Sequence, residues 1–171
     1  MTVSPARELP VLTVRQPWAA AIMHSVLDPR SGEVLGAKNV ENRSRNLAGA
    51  YRGPLAIHAA KSFEPLGFKV LGNSATDRWQ TWADPDWFVL GAIVGVVDLV
   101  DVHHSGMECS RGVTCHEYSL CSPWAHAYSH HLVLENPRPL AEPIERRGAL
   151  GLRRLDEATT AAVWSQIGAQ Q

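Results

Sequence analysis

Cysteine, methionine, phenylalanine and tyrosine are scarce, three of each in 171 residues. So few cysteines exclude a disulfide-built scaffold. No apolar run approaches the roughly 20 residues of a membrane-spanning helix, and the opening "MTVSPARELP" lacks the apolar core of a signal peptide. A soluble cytoplasmic protein with no membrane partner is expected. Internal repeats and low-complexity segments are also lacking, which excludes solenoids and linker-rich chains. Strong charge of either sign is missing too, since the formal net charge is −1. That sum hides an asymmetry: through Lys61 there are eight Lys/Arg against four Asp/Glu, and beyond it eight against thirteen. A basic front half is one mark of a polyanion-binding face. Arg153, in the acidic back half, is expected to matter little to such a face.

What is present is a run of strand signals. "PVLTV", "KNVENRS", "GPLAIHAA", "GAIVGVVDLVDV", "HHLVLE" and "GALGLRRL" are separated by Gly, Pro or polar clusters. Helical spacing predicts helices at Pro17–Leu27 and Asp156–Ile167, the second capped by Asp156. The length fits one domain, 1–171. Two segments fit neither pattern: a Trp-rich insertion at about 62–88, with Trp79, Trp82 and Trp87, and a Cys/His-rich loop at about 103–131. The fold class is mainly β with α (α+β), and closing the sheet into a barrel flanked by a few helices would remove exposed edges.

In "LTVRQPWAAAI" an Arg–Gln pair stands where a strand runs into a helix. Pro17 suits a first helical turn, and the free amides after it offer an anion site beside Arg15 and Gln16. In "KNVENRS" strand alternation puts Asn39, Glu41, Arg43 and Arg45 on one face, with Lys38 where the strand begins. In "YRGPLAIHAAK", His58 sits among small residues on the face opposite Leu55, Ile57 and Ala59. Bland readings stand beside these: a solvated charged stripe, a satisfied core histidine, and a Trp18 that anchors its helix.

The order "LTVRQPWAAAI", "KNVENRS", "YRGPLAIHAAK", "GAIVGVVDLVDV", "RGALGLRRL" resembles the ASCH domain family of the PUA-like superfamily, in a small prokaryotic or phage-type member. The resemblance spans about Leu9 to Leu155. It implies a PUA-like β-barrel with a cleft near the first helix. It also implies a role with RNA, single-stranded nucleic acid or a modified nucleotide, although fold does not dictate function. Carried over by motif, Arg15, Gln16, Trp18, Lys38, Glu41, Arg43, His58 and Lys61 would converge on that cleft, with Arg45 and Arg52 extending phosphate contact.

An enzymatic alternative follows from the same resemblance. Some ASCH proteins hydrolyse N4-acylated cytidine and another is described as a ribonuclease, for which Lys38, Glu41 and His58 would be the catalytic candidates. Glu41 stands where the amidohydrolases carry Thr, and a carboxylate beside Lys38 favours its charged form. The third alternative is a non-catalytic protein-interaction module.

In "HHSGMECSRGVTCHEYSLC", three cysteines and three histidines crowd into a stretch with little apolar material. A structural zinc on Cys109, Cys115, Cys121 and His103, with His116 as the alternative fourth ligand, would order it. Cysteines packed as small apolar groups are the competing reading. The sequence gives no oligomeric state.

Overall fold

The computed structural model describes residues 8–27, 34–67, 88–109, 112, 114–116 and 119–168. Trp79, Trp82 and Trp87 of the Trp-rich insertion lie outside these residues. The period-two runs form β1 (Pro10–Gln16), β4 (Val40–Arg43), β5 (Gly53–Phe63), β6 (Ala92–His104), β7 (His130–Glu145) and β8 (Leu152–Arg154). These pair in one sheet of order β4-β7-β6-β5-β1-β8. Only the β1–β5 pairing is parallel. A small hairpin, β2 (Val26–Leu27) with β3 (Val34–Gly36), stands apart. Two helices complete the labelled elements: α1 (Trp18–Met23) and α2 (Glu157–Gly168). The protein is mainly β with some α, as expected.

The sheet is curled but not closed, since no ladder among the described residues joins β4 to β8. Its curl can be read from one contact. Arg43 on β4 donates from Nη2 to Thr13 O on β1 at 2.9 Å. In a flat sheet four strand spacings, about 19 Å at 4.8 Å each, would separate those strands. One side chain bridges them only because the sheet wraps round.

Alternation sorts the apolar residues onto two faces. Leu12, Val14, Leu55, Ile57, Val97, Leu99, Leu132 and Leu134 form the inner core with Ile22 of α1. Val11, Ala56, Ile93, Val96 and Leu140 pack on the other face against Val163 and Ile167 of α2. A third cluster joins Ala21 and Val40 to Phe88, Trp124 and Ala125.

Three local outcomes differ from the pattern-based expectation. Helix α1 stops at Met23 instead of continuing to Leu27, because Ala21 O accepts the Lys38 amide at 2.7 Å and Val26–Leu27 pairs as a strand. Strand β7 continues well past Glu135, through Pro137, Pro139 and Pro143. Its pairing with β6 shifts register three times, and such bulges accommodate residues that have no N–H to donate. The Cys/His-rich loop is shorter than its predicted span, since β6 reaches His104 and β7 begins at His130.

Trp18 is half-buried, packs against the first and third clusters, and meets Trp124 edge-on at 6.4 Å between ring centroids. Truncating such an anchor costs about 3–5 kcal/mol. Trp18→Ala is therefore expected to lower the urea midpoint markedly; an unchanged midpoint would assign the ring to a ligand instead.

Candidate functional site

At the hinge, Gln16 is buried and both ends of its amide are used. Its Oε1 accepts the Ala20 N–H at 3.0 Å and its Nε2 donates to Val89 O at 2.9 Å. The chain thus satisfies part of its own helix start, and α1 is six residues long. The expected anion site at the helix N-terminus is filled from within. Arg15 points away from it, exposed and paired with Glu64 at 3.2 Å.

The next strand carries a desolvated charge triad. Lys38 is fixed by its backbone bond to α1, and its Nζ donates to Glu41 Oε2 at 2.6 Å and to Val40 O at 2.5 Å. The same ammonium lies 5.8 Å from the centre of the Trp18 ring, within cation–π reach. Glu41 Oε1 takes a second cation, Arg43 Nη2, at 3.0 Å. Lys38 and Glu41 side chains are only 5% and 9% exposed, whereas Arg43 is 27% exposed. Burial alone would raise the Glu41 carboxyl, but the Lys38 ammonium and Arg43 guanidinium outweigh it and hold the group below its usual range. Two cations on one carboxylate leave one positive charge, and Arg43 is its more exposed carrier.

His58 lies elsewhere. It belongs to the α2-facing side of β5, opposite Ile93, and its Nε2 donates to Arg146 O at 2.8 Å. The expected single cleft holding Lys38, Glu41, Arg43 and His58 together is therefore split, with β1 between the halves: Arg43 bonds the Thr13 carbonyl, and the Thr13 side chain faces His58. The reason is the strict alternation of β5, which sends Leu55, Ile57 and Ala59 inward and His58 outward. Lys61 is exposed and lays its stem against Gly91. Arg45 is exposed beyond the end of β4, and Arg52 lies near Asp101 at 3.8 Å. These do not join the triad.

The Cys/His-rich loop makes a tighter constellation than its spacing suggests. One ligand atom from each of His103, Cys115, Cys121 and His131 lies within 4.8 Å of the others. His103 Nε2 is 3.2 Å from Cys115 Sγ, 3.6 Å from Cys121 Sγ and 3.1 Å from His131 Nδ1; Cys121 Sγ is 3.7 Å from His131 Nδ1. The outer ring nitrogens are committed: His103 Nδ1 to Asp101 Oδ2 at 2.9 Å, and His131 Nε2 to His126 O at 2.7 Å. With those protons placed outward, two imidazole lone pairs face each other at 3.1 Å. They repel unless a cation, or a thiol proton from Cys115 or Cys121, sits where they converge. Burial above all, with neighbouring histidines, pushes His131 below its ordinary value and favours the neutral, ligating form. The four residues can hold a metal ion.

The constellation corrects the expected ligand set. Cys109 is buried but outside the group, and His116 is exposed with its backbone paired to Ser119. His131 takes the place given to Cys109. It was hidden because "HHLVLE" reads as an ordinary strand. A signal was nonetheless present: "VHH" ends one strand and "HHL" begins its antiparallel partner, so hairpin pairing sets His103 opposite His131 and His104 opposite His130.

No family model matches the chain, nor does any curated protein. Among solved structures it is similar to a point mutant of the Zymomonas mobilis ASCH protein, with 16% identity and a TM-score of 0.47, covering 95% of this chain and 99% of that one. A second point mutant gives 14%, 0.47, 92% and 98%, and the structure of ASCH from the same organism gives 13%, 0.45, 91% and 94%. All three are ASCH structures. Overlaps at this level add no detail to the sites described above.

Proposed function

We propose that this chain binds single-stranded nucleic acid, RNA first among the candidates, at the mouth of the curled sheet beside β4. The observation that supports this reading is the Lys38–Glu41–Arg43 triad. It keeps one uncompensated positive charge, and Arg43 is held at a fixed position by Glu41 and the Thr13 carbonyl. A pre-set guanidinium suits a phosphate or a base carbonyl, because little side-chain freedom is lost when the ligand arrives.

Binding is favoured over hydrolysis of an acylated cytidine or RNA. Both contacts of Lys38 Nζ accept hydrogen bonds from it, and one is the Glu41 carboxylate, which favours the ammonium over a nucleophilic amine. His58, the other acid–base candidate, lies across β1. Arg43→Ala is expected to weaken single-stranded RNA binding roughly tenfold and to reduce the salt slope by about one. Fluorescence anisotropy at several salt concentrations measures both, and an unchanged affinity would remove the triad from the interface.

The second part of the reading is a structural zinc on His103, Cys115, Cys121 and His131. Zinc bonded at about 2.0–2.1 Å to nitrogen and about 2.3 Å to sulfur spans tetrahedral edges of about 3.4–3.8 Å. Four of the six ligand-atom separations, 3.1 to 3.7 Å, lie close to that range, and all six are within 4.8 Å. Asp101 and the His126 carbonyl would orient the two rings from behind. Two Cys and two His leave no position for a substrate, so the metal would brace the loop.

A further inference from the structure

The basic residues of the front half do not make the densest cationic surface. Arg146, Arg147, Arg153 and Arg154, all from the nominally acidic half, line one cavity of about 250 Å³ with Thr13 and His58. No carboxylate lines it. Arg146 is neutralised by Asp156 at 2.7 Å. Arg153 and Arg154 spend one donor each on the backbone carbonyls of Leu150 and Glu8. Neither has an ion-pair partner among the described residues, nor has Arg147. Arg147 and Arg153 therefore bring two guanidinium charges to one small volume without an ion-pair partner among the described residues, whereas Arg154, one step further along β8, alternates toward the Tyr51 side.

The floor of the cavity carries a second, independent sign of a ligand. His58 is 2% exposed, and its Nδ1 is buried without a hydrogen-bond partner. Since Nε2–H donates to Arg146 O, Nδ1 holds a lone pair that needs a donor. Gly148 passes directly over this ring; a Cβ there would come within 2.8 Å of His58 Cε1 and 3.0 Å of Nδ1. The backbone approaches the histidine as closely as only glycine permits.

We propose that this cavity binds the terminal phosphate of a nucleotide or of a nucleic-acid chain. A phosphate monoester carries about −1.5 to −2 charges and three acceptor oxygens, which matches the two unpaired guanidinium groups of Arg147 and Arg153 better than the single charge of a backbone diester. The cavity adjoins the triad through Thr13, whose carbonyl takes Arg43 and whose side chain lines the pocket. A chain lying along Arg43 would pass around β1 at Thr13 to place its end in the pocket. The source as nucleic acid rests on the reading in the previous subsection; the phosphate chemistry stands on the cavity alone.

The test uses short single-stranded RNAs of one sequence with a 5′-phosphate, a 3′-phosphate or hydroxyls at both ends, titrated against the full chain and against Arg147→Ala/Arg153→Ala. Both arginines are exposed, so the double variant should fold. One phosphorylated form is expected to bind about tenfold more tightly than the hydroxyl form, and the difference should vanish in the double variant. Arg43→Ala should weaken every RNA and leave the difference intact. Equal affinity of all three RNAs for the unmodified chain overturns the proposal, as does a preference that survives the double variant. If no RNA binds, a nucleoside monophosphate that raises the thermal midpoint of the parent but not the double variant keeps the pocket and discards the nucleic-acid reading. Absence of that rise as well discards both.

Discussion

Protein prepared without chelator should contain one zinc per chain, and Cys115→Ser or His131→Ala should abolish it while Cys109→Ser does not. The contrast follows from geometry: Cys115, Cys121, His103 and His131 converge, whereas Cys109 is buried outside the group. The consequence for stability should be large. Segment 105–129 between β6 and β7 contains no labelled element among the described residues, and His103 and His131 face each other on the strands that flank it. An ion bound only by the native state, at a concentration about a thousandfold above its dissociation constant, stabilises by roughly 4 kcal/mol. That corresponds to a fall of about 8–16 °C in the thermal midpoint on chelation, reversed by adding zinc. A chelator-insensitive midpoint with no zinc by elemental analysis would show four residues brought together by packing alone.

Glu41→Gln should be among the most damaging conservative substitutions. It keeps the side-chain shape but removes the charge that compensates Lys38 and Arg43, and the Lys38 side chain is only 5% exposed. Removing one partner of a buried pair typically costs about 3–5 kcal/mol. Replacing Lys38 by Met in the same chain should restore much of that loss, since no orphaned ammonium is then left in the interior. The loss should also depend on pH with a definite sign. The folded-state carboxyl lies below its ordinary range, so its contribution is fully present above the unfolded value of about 4.3 and fades as pH falls through the folded value. Urea unfolding of parent and Glu41→Gln at neutral pH should differ strongly, and the two curves should approach each other in acid. A difference under about 1 kcal/mol at neutral pH, as exposed pairs give, would mean that water reaches the triad.

The sequence by itself determined the strands, their inward and outward faces, the mainly β class and the adjacency of Lys38, Glu41 and Arg43. These follow from period-two alternation and from residues within six positions of one another, where local geometry leaves few choices. It also marked the Cys/His-rich loop as the place for a metal. Only the tertiary structure decided which residues meet. The curl of the sheet carried Arg43 across to Thr13. The alternation of β5 placed His58 on the far face from the triad, and the β6–β7 register exchanged Cys109 for His131. Charge counted by halves of the chain pointed to the front, yet the return of β8 to β1 brought Arg153 and Arg154 beside Arg146 and Arg147. Electrostatic fields add by distance in space, and in a sheet of order β4-β7-β6-β5-β1-β8 that distance has little to do with position along the chain.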